Sequence, residues 1–264
     1  MTIVPHYAML GHGPTVLLLH GSGGGYRAFA PQVEVLASLG FRAVAWDMPG
    51  YGVSVPVEPY GFKGLAASAA ALIEAVAPAA GSEPVAVVGQ GMGGMVAQEL
   101  ALRRPDLVQH LVLMCTTAAV QEGDAYDQAI ARNLAWLDEG LSMPAIADRL
   151  LPRLVGPGAL PAGVELATFC QAQVHALTWR CALQVMRQFD RRAALAQIHV
   201  PTLLVAGEQD RITPPEAMQS MAQAISGSAW NLLPGVGHLP HLEAPDEFGE
   251  LLVDFLRTPP ARWH

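Results

Sequence analysis

Basic residues are scarce in this chain: 15 Lys and Arg stand against 23 Asp and Glu over 264 residues, a formal net charge of −8. The few cations are scattered, so neither nucleic acid nor an anionic membrane surface is an expected partner. Cysteines are scarcer. Cys115, Cys170 and Cys181 form no CxxC pair and leave an odd one, which argues against a disulfide framework and a thiolate zinc site. The nine histidines make no HExxH, and the nearest pair, His238 and His241 in "GHLPH", sits in a Gly- and Pro-rich stretch. No metal and no cofactor are expected. The opening "MTIVPHYAMLGHGP" has no basic segment followed by an apolar one, and no run of about 18 apolar residues follows. A cytoplasmic, soluble protein is the expectation, as a monomer or homodimer.

Hydrophobic residues are plentiful, at 52% of the chain, enough for one large domain with an insertion. Short unbroken apolar runs recur: "TVLLLH" (15–20), "RAVAWD" (42–47), "PVAVVG" (84–89), "LVLMC" (111–115) and "PTLLVAG" (201–207). Runs without alternation read as parallel strands covered on both faces. Helix-like segments lie between them, among them 62–77 and 95–104, giving the β, α alternation of a doubly wound sheet. Between about 118 and 195 the alternation stops. Helix-like stretches broken by "MP", "LP" and "GPGALPAG" fill it, too long for one crossover. The reading is a core of 1–117 and 196–264 carrying a helical lid of 118–195.

The stretch "VVGQGMGGMVAQEL" (87–100) admits two chemistries. Gly89, Gly91 and Gly94 spell GxGxxG, but a dinucleotide site needs an acidic residue at the tip of the next strand, and that strand ends "LVLMCTT". The other pattern is the GxSxG elbow of a serine hydrolase with Gly91 at the serine's place. Such an elbow needs an acid after a later strand and a histidine after the last one. Asp210 in "GEQDRITPP" and His238 in "GVGHLPHLEAP" stand in that order. The "HGSGGG" loop (20–25) after the first parallel strand has the glycines a close backbone approach requires, so Ser22 and Met92 are the expected N–H donors of an oxyanion hole, with Gly21 beside the ligand.

These motifs, with "DMPGYGVS" (47–54) and "FDRRAALAQIHVPTLLVAGEQD", make the chain resemble the α/β-hydrolase fold family over nearly its whole length. Within the family it is most similar to enol-lactone and carbon–carbon bond hydrolases. The resemblance implies a mostly parallel eight-stranded sheet, a lid, and a triad completed by a Ser, Cys or Asp where this chain has Gly91.

Removing the serine of a triad costs on the order of 10⁶ in kcat, leaving about one turnover per day from a typical ~10 s⁻¹. What remains is His238 oriented by Asp210, two N–H donors and room for a water. That set suits hydrolysis of an already labile ester, enol lactone or C–C or C–N bond. It also suits nucleophile-free lyase, isomerase or decarboxylase chemistry, a serine hydrolase inactivated by loss of its serine, or a non-catalytic ligand-binding protein. Ser22 and Cys115 are the substitute nucleophiles within reach by motif, and Cys115 is also a candidate pocket residue. The lid is rich in Leu, Ala and Met, with Trp136, Phe169, His175 and Trp179. Trp136, His175 and Trp179 are its candidate substrate contacts, while His175, Arg180 and Arg187 could anchor a carboxylate. The expected partner is a small, mostly apolar carbonyl compound.

Overall fold

The computed structural model describes residues 3–76 and 83–258. Seven strands form one sheet: β1 (Tyr7–Leu10), β2 (Thr15–Leu19), β3 (Arg42–Trp46), β4 (Val85–Gln90), β5 (Val108–Met114), β6 (Thr202–Gly207) and β7 (Ala229–Leu233). Their order is β1-β3-β2-β4-β5-β6-β7, with β1 antiparallel to β3 and every other pair parallel. Among the described residues the sheet therefore has seven strands, not the eight that the resemblance implies. The apolar runs are the parallel strands, and each is buried because helices cover both faces. β1 escapes the sequence pattern because it is a short, half-exposed edge strand.

Alternation along each strand divides the core. Leu17 and Leu19 of β2 face one side with Val44, Trp46 and Val87, against α2 (Phe62–Val76) and α3 (Met92–Arg103). Val16 and Leu18 face the other with Ala43, Ala45 and Val88; α1 (Ala30–Ser38) and, through Phe248, Leu252 and Phe255, α10 (Pro245–Arg257) close that side. At about 25 cal/mol per Å² of buried apolar area, these two layers are the main source of stability.

Between β5 and β6 the chain leaves the sheet and makes four helices, α4 (Ala125–Asp138), α5 (Met143–Leu154), α6 (Pro161–Gln173) and α7 (Ala176–Met186). Asp124 caps α4 and Ser142 caps α5 through side-chain oxygens that accept N–H groups three residues on. A single bridge between Ala119 and Asp190 pinches the insertion closed at its base. Strands β6 and β7 then complete the sheet, with α8 (Pro215–Ala224) between them and α9 (Pro240–Glu243) after β7. Among the described residues no helix is long and apolar enough to cross a membrane.

The chain runs from β2 out to β3 and returns to β4 on the other side of β2, so β2 and β4 flank a topological switch point. Loops leaving the carboxyl ends of these two strands open a crevice there. They are "HGSGGG" and the turn at Gly91.

Candidate active site

Gly91 connects β4 to α3 with φ 54° and ψ −119°, a left-handed conformation that glycine takes without steric cost. The turn is pinned on both sides: the Gly91 N–H donates to the Met114 carbonyl at 3.0 Å, and the Thr116 hydroxyl donates to the Gly91 carbonyl at 2.7 Å. Neighbouring glycines serve packing. A Cβ on Gly89 would sit 2.5 Å from the Gly93 carbonyl oxygen, and one on Gly94 would sit 2.7 Å from Thr116. The GxGxxG spacing is thus explained by a helix seated tightly on the sheet, with no nucleotide required. A Cβ on Gly91 differs: its nearest neighbour would be His238 Nε2 at 3.5 Å, ordinary van der Waals contact.

His238 follows β7 and Asp210 follows β6, and the structure brings both to Gly91. His238 Nδ1 and Asp210 Oδ2 are 2.8 Å apart, at 7% and 3% exposure. Asp210 Oδ1 accepts the Ile212 and Thr213 N–H groups at 2.8 and 3.1 Å, and the Thr213 hydroxyl donates to Oδ2. Burial opposes the Asp210 carboxylate. The positive charge available on His238 and the hydrogen bonds from His238, Thr213 and Ile212 outweigh it and hold the carboxyl below its ordinary range. Donation from Nδ1 to the carboxylate leaves Nε2, the nitrogen facing residue 91, as the basic one.

The 20–25 loop is held by hydrogen bonds at two successive peptides. His20 Nδ1 donates to the Gly21 carbonyl at 2.7 Å, while its Nε2 accepts the Met48 N–H at 2.9 Å, which fixes the tautomer. Burial lowers the His20 pKa to about 4, so the ring is neutral. Within the planar Gly21–Ser22 peptide the N–H is directed opposite to the carbonyl, so the hydrogen bond on Gly21 sets where the Ser22 N–H points. The Tyr51 hydroxyl donates to the Ser22 carbonyl at 2.9 Å and anchors the next peptide. Met92 is the first residue of α3, and its N–H has no acceptor within the helix.

Gly21, Ser22, Gly91, Met92 and His238 line one cavity of about 770 Å³, open solvent at its mouth included. α4 contributes Tyr126, Ala129, Ile130 and Asn133, one face at helical spacing, and the other three inserted helices contribute Leu151, Cys170, Gln171, Trp179 and Leu183 among others. Trp179 is the only one of the three sequence-derived lid candidates on this wall. Trp136 lies in the core under the Arg132 and Arg153 guanidiniums, away from the lining. His175 precedes α7 on the exposed surface. Arg180 and Arg187 pair with Asp138 and Asp127 at 2.7 Å each, and Phe169 is 45% exposed near Arg27.

Cys115 is also off the cavity wall. Its Sγ lies behind the histidine, 3.7 Å from the Gly237 carbonyl, and burial pushes its thiol pKa well up. Cys115, Asp210 and His238 offer ligand atoms within 4.8 Å of one another. A cation there would have to displace the His238–Asp210 hydrogen bond from the oxygen that Thr213 also occupies, so the donor set favours the hydrogen-bonded pair over a metal.

Sequence reasoning missed Gln90, Cys170, Gln171 and Asn133. Gln90 was recoverable, since it precedes the elbow; its amide donates to the His238 carbonyl at 3.1 Å and supports the histidine loop. Burial raises the Cys170 pKa to about 11, so this thiol is neutral on the cavity wall.

Residues 14–245 match the family model described as alpha/beta hydrolase fold. A pimeloyl-[acyl-carrier protein] methyl ester esterase of Nitrosospira multiformis is 30% identical over 94% of this chain and 96% of that protein. The crystal structure of BpoC from Mycobacterium tuberculosis H37Rv is 28% identical, with a TM-score of 0.85 over 97% of this chain and 96% of that one. The enol-lactonase of Burkholderia xenovorans LB400, at 24% identity and a TM-score of 0.83 over 96% of each chain, is a likeness of fold. The protein belongs to the α/β-hydrolase fold family.

Proposed function

We propose that the protein hydrolyses small, mostly apolar, activated carbonyl compounds, esters or enol lactones, with a water molecule in the part that a serine plays elsewhere in the family. The observation that carries this reading is the 3.5 Å separation between His238 Nε2 and the point where a side chain at residue 91 would begin. A water in that space lies within reach of the base. It attacks the carbonyl carbon as its proton passes to Nε2, and the oxygen of the tetrahedral intermediate takes hydrogen bonds from the Ser22 and Met92 N–H groups. Collapse expels the alkoxide, which takes the proton back from His238, leaving acid and alcohol.

The magnitudes support a labile substrate. A positioned general base contributes about 10²–10⁴ and one oxyanion donor about 10²–10³, without the covalent intermediate that harder acyl groups need. The helical insertion of 118–195 acts in this reading as the lid that walls the cavity with apolar side chains. The esterase among the relatives points to the same bond class.

A second reading rests on the ordinary contact distances around a Cβ at residue 91: the site is that of a serine hydrolase whose hydroxyl has been lost. Gly91→Ser separates the two. A gain of about 10³ or more in ester kcat, with a burst of leaving group, assigns the serine route; loss of the native turnover assigns the water route. In either case His238→Ala lowers turnover by at least about 10². Turnover unchanged in His238→Ala sinks both.

A further inference from the structure

The loop that carries His238 is fastened to the four-helix insertion as well as to the sheet. The His238 N–H donates to the Leu154 carbonyl at 2.6 Å, and Leu154 is the last residue of α5. Carbonyls in the last turn of a helix have no partner inside it, so this one is free to take the N–H of the base. The N–H groups on either side of His238 go to one residue. Glu243 Oε2 accepts the Gly237 N–H and Oε1 accepts the Leu239 N–H, each at 2.8 Å. The same Oε2 accepts the N–H of Gly156 in the insertion at 2.6 Å, and the Glu243 carbonyl accepts the Leu160 N–H at 3.3 Å where α6 begins. From the sheet, the main chain of His238 receives the Gln90 amide at 3.1 Å.

Packing closes the joint. A Cβ on Gly156 would overlap the Gly235 carbonyl oxygen, and a Cβ on Gly237 would overlap the Leu154 carbonyl oxygen. The two backbones touch with nothing between them, an approach that needs glycine. Gly163, in the first turn of α6, meets the Leu242 carbonyl in the same way. An interlocked, hydrogen-bonded seam transmits strain, so displacing 154–156 displaces 237–239 with it. Gly156 and Glu243 lie off the cavity wall, whereas Leu154 is on it. The residue whose carbonyl holds the base thus also borders the space that a substrate enters.

We infer that the 154–156 segment and Glu243 are the mount of the catalytic base: they position His238 Nε2 against residue 91, so the insertion acts on the chemical step as well as walling the cavity. The inference rests on the hydrolase reading in naming His238 the base. Gly156 and Glu243 are positioning residues, acting through the main chain on either side of His238. A base misplaced by about 1 Å costs about 10² in rate. An insertion that served as a wall alone would act on KM, and more so for larger substrates.

Steady-state kinetics and proton NMR on the full chain test it. Gly156→Ala forces the two backbones apart, and Glu243→Gln sets an amide NH₂ where a carboxylate oxygen accepts. With phenyl acetate, kcat falls by about 10² in Gly156→Ala and at least about tenfold in Glu243→Gln, while KM stays within about twofold. Phenyl hexanoate shows the same loss in kcat. The low-field resonance of the His238 Nδ1 proton, sharp in the parent because Asp210 and burial shield it, broadens in both variants. Asp138→Asn, which breaks an exposed ion pair with Arg180 on the same insertion, changes neither readout. Urea unfolding shows which variants fold; if Gly156→Ala does not, Glu243→Gln decides by the same criteria. A resonance that stays sharp in a folded variant, or a KM that rises with acyl length at unchanged kcat, overturns the inference. In a protein that turns over no ester the resonance decides alone: broadening in the variants keeps the mount and drops the hydrolase reading, and a sharp signal overturns the mount.

Discussion

The cavity has a floor and a roof built on opposite principles. In the floor, at the carboxyl edge of the sheet, most polar side chains are matched, His241 Nδ1 apart: Asp210 accepts four hydrogen bonds, both ring nitrogens of His20 are paired, and the elbow peptide is held at its N–H and its carbonyl. In the roof, polar atoms on three helices are buried and unmatched. A matched network fixes geometry before any ligand arrives. Under the proposed function, chemistry belongs to the floor, and the roof supplies mostly apolar walls.

Glu243 joins the two, and removing it gives the largest effect expected on this contrast. One carboxylate oxygen accepts the Gly156 N–H of the insertion at 2.6 Å and the Gly237 N–H beside the histidine at 2.8 Å, and the other accepts the Leu239 N–H at 2.8 Å. Glu243 is 4% exposed, so Glu243→Ala leaves three N–H groups without an acceptor in a dry site. The expected loss is roughly 3–5 kcal/mol, read from urea unfolding. Glu243→Gln, with its acceptor oxygen retained, loses less. Its kcat falls as the His238 loop loosens, while KM for a minimal ester changes little. A Glu243→Ala protein as stable as the parent would mean that floor and roof are independent.

Acid should attack the floor first. Burial lowers the His20 pKa to about 4 and that of His241 to about 3, both below the ordinary histidine value. Below pH 6.5 the unfolded chain binds protons at these rings that the folded chain refuses, so stability is fully present above 6.5 and is lost as pH falls toward the folded values. At pH 5 each ring accounts for about 2 kcal/mol. The lowered Asp210 pKa acts in the same direction, but only at lower pH, as that carboxyl titrates. The insertion has one histidine, His175, which lies on the exposed surface and not in a dry site. Hydrogen exchange at pH 5 and 7.5 should show amides of the 20–25 and 238–243 loops losing protection before those of α4–α7. Equal loss across floor and roof would refute the assignment.

The same contrast explains what the sequence disclosed. Five parallel strands, the elbow, Asp210 and His238 were legible, because a buried parallel strand must be an apolar run and the residues following it must lie at one edge. The 118–195 insertion was legible as helices, since the strand pattern stops there. Which faces of those helices meet the cavity was not. Trp136 is a sequence-derived candidate for the pocket, yet the α4 face that reaches the cavity is Tyr126, Ala129, Ile130 and Asn133. Two adjacent helix faces of similar composition are told apart only by the packing of α5 and α7 against them, which is tertiary information. Cys115 was misplaced for a related reason. Strand β5 brings it to the right edge, but with φ 43° the chain turns there, and the thiol is directed behind His238 toward Gly237.

The smallest effect follows from that placement and is the sharpest test of whether the floor holds a hidden nucleophile. Cys115→Ala removes a thiol that is fully buried, off the cavity wall and raised well above its ordinary pKa by burial. A thiol so placed carries almost no thiolate at neutral pH, and Cys115 is not among the residues that line the cavity. Turnover in Cys115→Ala should stay within about twofold of the parent, and the loss of one buried sulfur should cost no more than about 1–2 kcal/mol. Iodoacetamide should modify exposed Cys181 in the native protein and leave turnover standing. A Cys115→Ala variant that folds normally but loses activity by orders of magnitude would transfer the attacking atom from water to sulfur. It would also end the division between a floor that supplies only a base and donors and a roof that supplies mostly apolar walls.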